Sequence, residues 1–332
     1  MNSLKSVGKA PSIDFNRGRV YIAGKDATMT IVLSVVLITL IAIANPLTNG
    51  IFFTGNNITN LLRQMTITGM MSIGMLFVIL TGGVDLSVGS IVGFSAITAA
   101  TATVNMGLPI WAAFLLGVFA GACWGFVNGS LVAWFNLPPF IVTLAMMSFI
   151  RGFIYVVSET AIAAQAIPAF KALGGAVVFG IPVSTMIMVA FFILGAIFLN
   201  LTPLGRSTIA IGGNRETVRL AGISVKKGIT IAYVISGICS GLGGVLLASR
   251  LGNVQPSLGE GFELDAIAAC VIGGASLAGG KGSVQGAVVG VLILAVMNNL
   301  LSLRNVDSYW QWIFKGVIII VVVLLNSLTQ NK

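Results

Sequence analysis

Ten long apolar runs constrain what this chain can fold into more than any other feature of its sequence. The runs lie near residues 28–45, 65–81, 86–104, 109–135, 138–157, 182–200, 229–249, 264–280, 283–303 and 308–327. A helix needs ~20 apolar residues to cross the hydrocarbon of a bilayer, and each run is close to that length. The alternating ten-residue segments of a membrane β-barrel are absent from the sequence. We therefore expect an all-α polytopic membrane protein with about ten transmembrane helices, because helices satisfy their own backbone groups in lipid.

The composition supports a fold whose solvent is lipid. Of the 332 residues 57% are hydrophobic and only 8% are charged, whereas a soluble domain has roughly 25% charged residues. The chain has no histidine, which excludes imidazole metal sites and histidine acid–base chemistry. Cys123, Cys239 and Cys270 lie far apart inside apolar runs, without the spacing of metal ligands. We expect no metal, no catalytic residue and no cofactor bound by this chain.

The basic residues predict how the chain is threaded through the membrane. Lys and Arg are enriched in loops on the cytoplasmic side, and both the polar segment 1–27 and the loop 201–228 are basic. Ten spans place these two segments and the tail 328–332 on the same side. The sequence thus predicts a cytoplasmic N-terminal segment at 1–27, a transmembrane domain at 28–327 and a cytoplasmic tail at 328–332, in a multi-pass protein of the inner (plasma) membrane. The charge pattern indicates membrane orientation and no nucleic-acid partner.

The stretch GGVDLSVG at residues 82–89 places a carboxylate between two apolar runs. Asp85 is the only acid between Asp26 and Glu159. Because an ionised carboxylate at the bilayer centre costs at least ~2.5–3.5 kcal/mol, Asp85 must have a partner, face a cavity or lie at an interface. It could cap the following helix by accepting bonds from backbone N–H groups near Ser87. It could also belong to a substrate path or gate, and both interpretations stay open.

The sequence GGASLAGG at residues 273–280 echoes this motif. Four aligned pairs are identical, namely Gly82/Gly273, Gly83/Gly274, Leu86/Leu277 and Gly89/Gly280. Paired broken helices in repeated halves are common in transporters, so we expect pseudo-repeated halves. A phosphate loop is not indicated, because Lys281 is followed by Gly282 where a hydroxyl is needed.

Residues 206–227, RSTIAIGGNRETVRLAGISVKK, form the only dense charge cluster inside the chain. Gly213 interrupts the preceding element, and Asn214 is a suitable N-cap for a helix of about two turns that Gly222 would end. Glu216 suits the first turn of such a helix. A solvated loop that only enforces topology is the alternative.

Three stretches together resemble the permeases of ABC importers for simple sugars, the ribose, galactose and xylose family, and they are most similar to the ribose type. The stretches are IGGNRETVRLAGISV at 211–225, GGVDLSVG at 82–89 and ELDAIAACVIGGASLAGGKG at 263–282, in the family's order and spacing. Thr217-Val218 departs from the two Ala that the family more often has after the Glu. The resemblance implies a permease subunit of an ATP-driven sugar importer, ribose first, that catalyses no reaction.

The resemblance also implies roles for residues and partners. The loop would be a coupling helix seated in a separate ATPase subunit that binds ATP and magnesium, through Gly213, Asn214, Arg215, Glu216, Val218, Arg219 and Gly222. A periplasmic sugar-binding protein, a second copy of the chain and membrane lipid would be the other partners. Candidates for the translocation path or gate are Asp85, Ser87, Asn128, Asn298 and Asn299, although the three Asn could equally form interhelical hydrogen bonds. An ion-coupled secondary transporter and a branched-chain amino acid ABC permease are the alternatives.

Overall fold

The computed structural model describes residues 15–307, 309–317, 320 and 324. The predicted tail at 328–332 and residues 1–14 of the predicted N-terminal segment lie outside the described residues. So does part of the last apolar run, 308–327.

The described residues fold almost entirely into α-helices. The helices are α1 Phe15–Leu47, α2 Gly55–Leu80, α3 Val88–Val104, α4 Ile110–Trp134, α5 Pro139–Val157, α6 Pro168–Gly175, α7 Val183–Leu201, α8 Pro203–Gly213, α9 Arg215–Leu220, α10 Val225–Leu251, α11 Phe262–Ile272 and α12 Val284–Leu303. Four two-residue strands form two antiparallel pairs: β1 Ile162–Ala163 with β4 Asn253–Val254, and β2 Val177–Val178 with β3 Ile181–Pro182.

Six helices of the described part, α2, α4, α5, α7, α10 and α12, are long and apolar enough to cross a membrane. Two shorter apolar helices, Ile31–Leu47 within α1 and Val88–Val104, accompany them. The expectation of an all-helical polytopic membrane protein is therefore confirmed, while the number of ten spans stays a prediction.

One of the predicted transmembrane helices is not a continuous helix in the structure. The apolar run 264–280 is not a single helix, because α11 ends at Ile272 and an irregular loop follows until Val284. The 11 residues of α11 span about 16 Å, roughly half of a bilayer's hydrocarbon core. Gly274 has φ +89°, a conformation that stops a helix and that favours glycine. Hydropathy cannot separate a full span from a half-helix followed by an apolar, glycine-rich loop.

Helix α10 lies at the centre of the bundle and packs against α2, α3 and α4. Its contact with α4 depends on a stripe of glycines, one per turn, at Gly117, Gly121, Gly125 and Gly129. A Cβ on Gly121 would lie 2.5 Å from the Gly237 carbonyl oxygen, and one on Gly129 would lie 2.8 Å from the Cα of Thr230. The two backbones therefore touch directly, as small residues permit between membrane helices.

Candidate functional site

The short helix α9 has the ends that its sequence predicts. The Asn214 side chain accepts a hydrogen bond from the Thr217 backbone N–H at 3.0 Å, which is the expected N-cap. Gly222 follows the helix with φ +76°, and its N–H donates to the Arg219 carbonyl at 3.0 Å. The segment 214–222 is therefore a defined helix and not an irregular loop.

One face of α9 is fixed to the body of the protein. Val218 is 5% exposed and packs in a cluster with Val78, Ile211 and Tyr233. Arg215 Nη2 donates to the Thr81 carbonyl oxygen at 3.2 Å, at the end of α2. The Val218 side chain therefore packs against this chain, and its predicted contact with a partner ATPase stays a prediction. Sequence alone could not assign the buried face of a six-residue helix.

The other face of α9 is exposed. Leu220 is 75% exposed, and Glu216 and Arg219 face solvent as an ion pair with Nη2 to Oε1 at 2.6 Å and Nε to Oε2 at 3.0 Å. These hydrogen bonds from Arg219 hold the pKa of the Glu216 carboxyl below its ordinary value, and they raise the pKa of Arg219. This face therefore presents one large apolar side chain beside an exposed bidentate ion pair.

A glycine junction joins the start of α9 to both copies of the repeated motif. The Gly280 N–H donates to the Leu80 carbonyl at 3.0 Å, which links the loop after α11 to the end of α2. Gly279 has φ +89°, and a Cβ there would lie 2.8 Å from the Gly82 nitrogen and 2.9 Å from the Gly212 Cα. Three backbone segments therefore meet at glycines.

Asp85 is fully buried and is bonded on both carboxylate oxygens. Oδ1 accepts from the Ser87 N–H at 3.0 Å and from the Ser87 hydroxyl at 2.6 Å. Oδ2 accepts from the Ser236 hydroxyl of α10 at 3.0 Å. Asn128 of α4 donates to Ser87 Oγ at 2.7 Å and so joins α4 to the same cluster. The bond from the Ser87 N–H to Asp85 is local and does not cap α3, because that helix begins at Val88 with Ser87 as its N-cap residue and has no side-chain cap hydrogen bond.

The structure separates the predicted path residues into two groups. Asp85, Ser87 and Asn128 belong to one cluster, as described above. Asn299 instead exchanges two side-chain hydrogen bonds with Asn57 of α2, at 2.9 and 3.0 Å. For Asn299 this favours the interhelical interpretation. Asn298 is partly buried and its Oδ1 has no hydrogen-bond partner among the described residues.

Sequence reasoning missed two members of the Asp85 cluster. Ser236 bonds to Asp85, and the buried Tyr233 places its hydroxyl so close to Gly83 that a Cβ there would lie 2.9 Å from it. The available signal was their spacing, because residues three apart lie on one face of a helix. That signal is weak inside an apolar run that contains other serines.

Matched serine substitutions on α10 should show that the Asp85 cluster contributes to stability. Ser236→Ala removes a donor from a buried carboxylate and is expected to lower the unfolding free energy by ~1–3 kcal/mol. Ser240→Ala, one turn along the same helix, should change it little, because the buried Ser240 hydroxyl has no hydrogen-bond partner among the described residues. Thermal midpoints of the purified full chain in nanodiscs provide the measurement. Equal midpoints for the two variants would contradict the bonding described for Asp85.

A bundle of apolar helices, six of those described being long enough to cross a membrane, defines a polytopic membrane protein. Residues 57–323 match the family model described as branched-chain amino acid transport system / permease component. The chain belongs to this family, and within it to the simple-sugar ABC permeases that its motifs resemble.

Several known permeases align with this chain over most of its length and most of their own. The ribose import permease protein RbsC of Bacillus subtilis (strain 168) is 41% identical over 88% of this chain and 89% of its own. The ribose import permease protein RbsC of Escherichia coli (strain K12) is 40% identical over 89% of this chain and 93% of its own. The L-arabinose transport system permease protein AraH of Escherichia coli (strain K12) is 36% identical over 100% of this chain and 98% of its own. No solved structure matches the chain.

Proposed function

We propose that this chain is the membrane subunit of an ATP-driven importer for a monosaccharide, with ribose the first candidate. Two relatives named for ribose import, at 40% and 41% identity over most of their length, support this substrate class. In this proposal the chain crosses the inner membrane about ten times. The segment 1–27, the loop 201–228 and the tail 328–332 lie in the cytoplasm. The chain itself catalyses no reaction and binds no cofactor.

Four kinds of partner complete the proposed importer. An ATPase subunit binds ATP and magnesium on the cytoplasmic side, and a periplasmic sugar-binding protein delivers the sugar outside. A second copy of the chain forms a homodimer with the path near its two-fold axis, and lipid surrounds both. No nucleic acid takes part.

The observation that carries the proposal is that α9 is attached to the chain by one face and exposed on the other. Val218 and Arg215 fix one face to the transmembrane body, while Leu220, Glu216 and Arg219 remain available on the other. A helix held in this way transmits a displacement that a flexible loop would absorb. The exposed face therefore suits a groove in the ATPase, with Leu220 as the apolar contact and the ion pair at its rim.

The glycine junction and Arg215 provide a route from α9 to the membrane interior. Arg215 bonds to Thr81, four residues before Asp85, and Gly212 abuts Gly279 in the loop after α11. Closure of the ATPases would move α9 and, through these contacts, both repeated loops. In this mechanism Asp85, Ser87 and Asn128 hold the interior gate, because they are buried and bonded to one another. Asn298 stays a candidate for the path.

Uptake of labelled ribose by cells that express this chain with its ATPase and sugar-binding protein tests the proposal. We expect uptake that persists when an uncoupler collapses the ion gradient and that stops when the ATPase cannot hydrolyse ATP. Excess unlabelled ribose should compete, whereas excess leucine should not. Uptake abolished by the uncoupler at constant ATP would instead support an ion-coupled transporter. Competition by leucine alone would support an amino acid permease.

A further inference from the structure

A polar cavity of about 210 Å³ lies where α3, α5 and the loop before α11 meet. Its lining is Ser90, Met147, Ser148, Arg151, Glu260, Gly261 and Glu263. Polar and ionisable side chains in a membrane bundle are costly, and they commonly line a substrate or ion pathway. The proposed coupling through α9 and Asp85 does not involve this cavity.

A second cavity shares one lining residue with the first. It has a volume of about 430 Å³, is lined largely by the loop 251–262, and shares Glu260 with the first cavity. Its lining also includes Asn253, Gln255 and Ser257. Glu260, in the loop before α11, therefore contributes to two cavities with polar linings.

The charges of the first cavity disfavour an anionic ligand. Arg151 faces Glu260 and Glu263, so that the lining has a net charge of about −1. An anion would be repelled by this lining, while the Arg151 guanidinium offsets one of the two carboxylates. Carboxylates only accept hydrogen bonds, and the hydroxyls of a polyol donate them. A sugar therefore satisfies this lining without bringing a charge into the membrane.

Arg151 is poorly placed to hold the carboxylate of an amino acid. Its side chain is 17% exposed, and its Nη1 already donates to the carbonyls of Pro256 and Leu258 at 2.8 and 2.9 Å. Its Nε is 3.9 Å from Glu260 Oε1, which is too long for a hydrogen bond. Glu260, with 56% of its side chain exposed, therefore remains available to a ligand hydroxyl.

Glycines on α3 hold the acidic loop against the cavity. A Cβ on Gly93 would lie 2.5 Å from the Leu258 carbonyl oxygen, and one on Gly89 would overlap the Glu263 carboxylate and the Gly259 carbonyl. Gly259 and Gly261 have φ of +86° and +80°, which lets the loop turn before α11. Glu263 is therefore placed by backbone packing and not by a flexible loop.

We propose that this cavity is a weak sugar-binding site of the permease itself, in which Glu260 and Glu263 accept hydrogen bonds from the hydroxyls of a neutral monosaccharide. The inference rests on the proposed function, since it places a binding site for the imported sugar along the translocation path. Such a site would bind weakly, because a sugar that is held tightly cannot leave.

Saturation-transfer NMR with D-ribose on the full chain in nanodiscs tests the site without any partner. We expect a ribose signal for the parent chain that falls roughly tenfold in Glu263→Gln, because a charged acceptor is lost. Ser148→Phe should give the same loss by filling the cavity from an exposed position. Glu159→Gln, the same change on an exposed loop, should keep the signal. An equal signal in all four chains, no signal in any, or a signal for L-leucine but none for ribose would overturn the proposal.

Uptake by the complete importer separates a failure of this site from a failure of the proposed function. Because the sugar-binding protein captures the sugar first, we expect Glu263→Gln and Ser148→Phe to lower the maximal rate and to leave the half-saturating ribose concentration unchanged. If the parent imports ribose and both variants match it in rate, the site is wrong and the function stands. If the parent imports no ribose, the proposed substrate fails, and the NMR experiment still decides whether the cavity binds a sugar.

Discussion

Leu220→Asp is expected to abolish ATP-driven sugar uptake while the chain stays folded in the membrane. Leu220 is 75% exposed on α9, so the substitution removes little packing within the chain. In the proposed complex the same position is covered by the ATPase. A carboxylate buried there without a partner costs ~2 kcal/mol or more, which weakens the affinity of the interface roughly thirtyfold or more. The measurements are ribose uptake and co-purification of the ATPase with the tagged permease.

A matched control separates coupling from a general effect of a new surface charge. Phe179 is 98% exposed in the turn between β2 and β3, outside the predicted coupling loop. Phe179→Asp should leave uptake and ATPase co-purification close to those of the parent. Full uptake in Leu220→Asp, with the ATPase still bound, would show that α9 does not dock through this face.

The sequence predicted most helices well, because a membrane helix follows from the length of an apolar run. The runs 109–135, 138–157 and 182–200 correspond closely to α4, α5 and α7. The prediction of a single span at 264–280 was wrong for a physical reason. Backbone N–H groups in its second half bond mainly to carbonyls within residues 270–281, and the Gly280 N–H bonds to the Leu80 carbonyl; hydropathy does not register that possibility.

Local chemistry was predicted better than the contacts between distant segments. The cap of Asn214 and the helix end at Gly222 follow from rules that act within a few residues. The burial of Val218 and the bond from Ser236 to Asp85 depend on how α9 and α10 pack. Those contacts join residues far apart in the chain, and no short-range rule encodes them.

Gly125→Leu is expected to prevent the native bundle from forming. A Cβ at Gly125 would overlap the Tyr233 carbonyl oxygen and come within 3.1 Å of the Gly237 Cα, so that even Ala forces backbone away from backbone. Overpacking a well-packed core commonly costs ~1–3 kcal/mol, and a clash with rigid backbone belongs at or beyond the upper end. Size-exclusion profiles and thermal midpoints of the purified chain provide the measurement, with Gly125→Ala as an intermediate case.

Gly152→Leu on α5 is the matched control, because a Cβ at Gly152 meets nothing within 4 Å. Its elution and thermal midpoint should resemble those of the parent. The comparison of the Gly125 and Gly152 variants also tests the Asp85 cluster, since α10 contributes Ser236 to it and α4 contributes Asn128. A Gly125 variant that retains its fold but separates α4 from α10 should lose the stabilising effect of Ser236, so that Ser236→Ala costs less there than in the parent. A Gly125→Leu chain with the parent's midpoint and an undiminished cost of Ser236→Ala would contradict the backbone contact between α4 and α10.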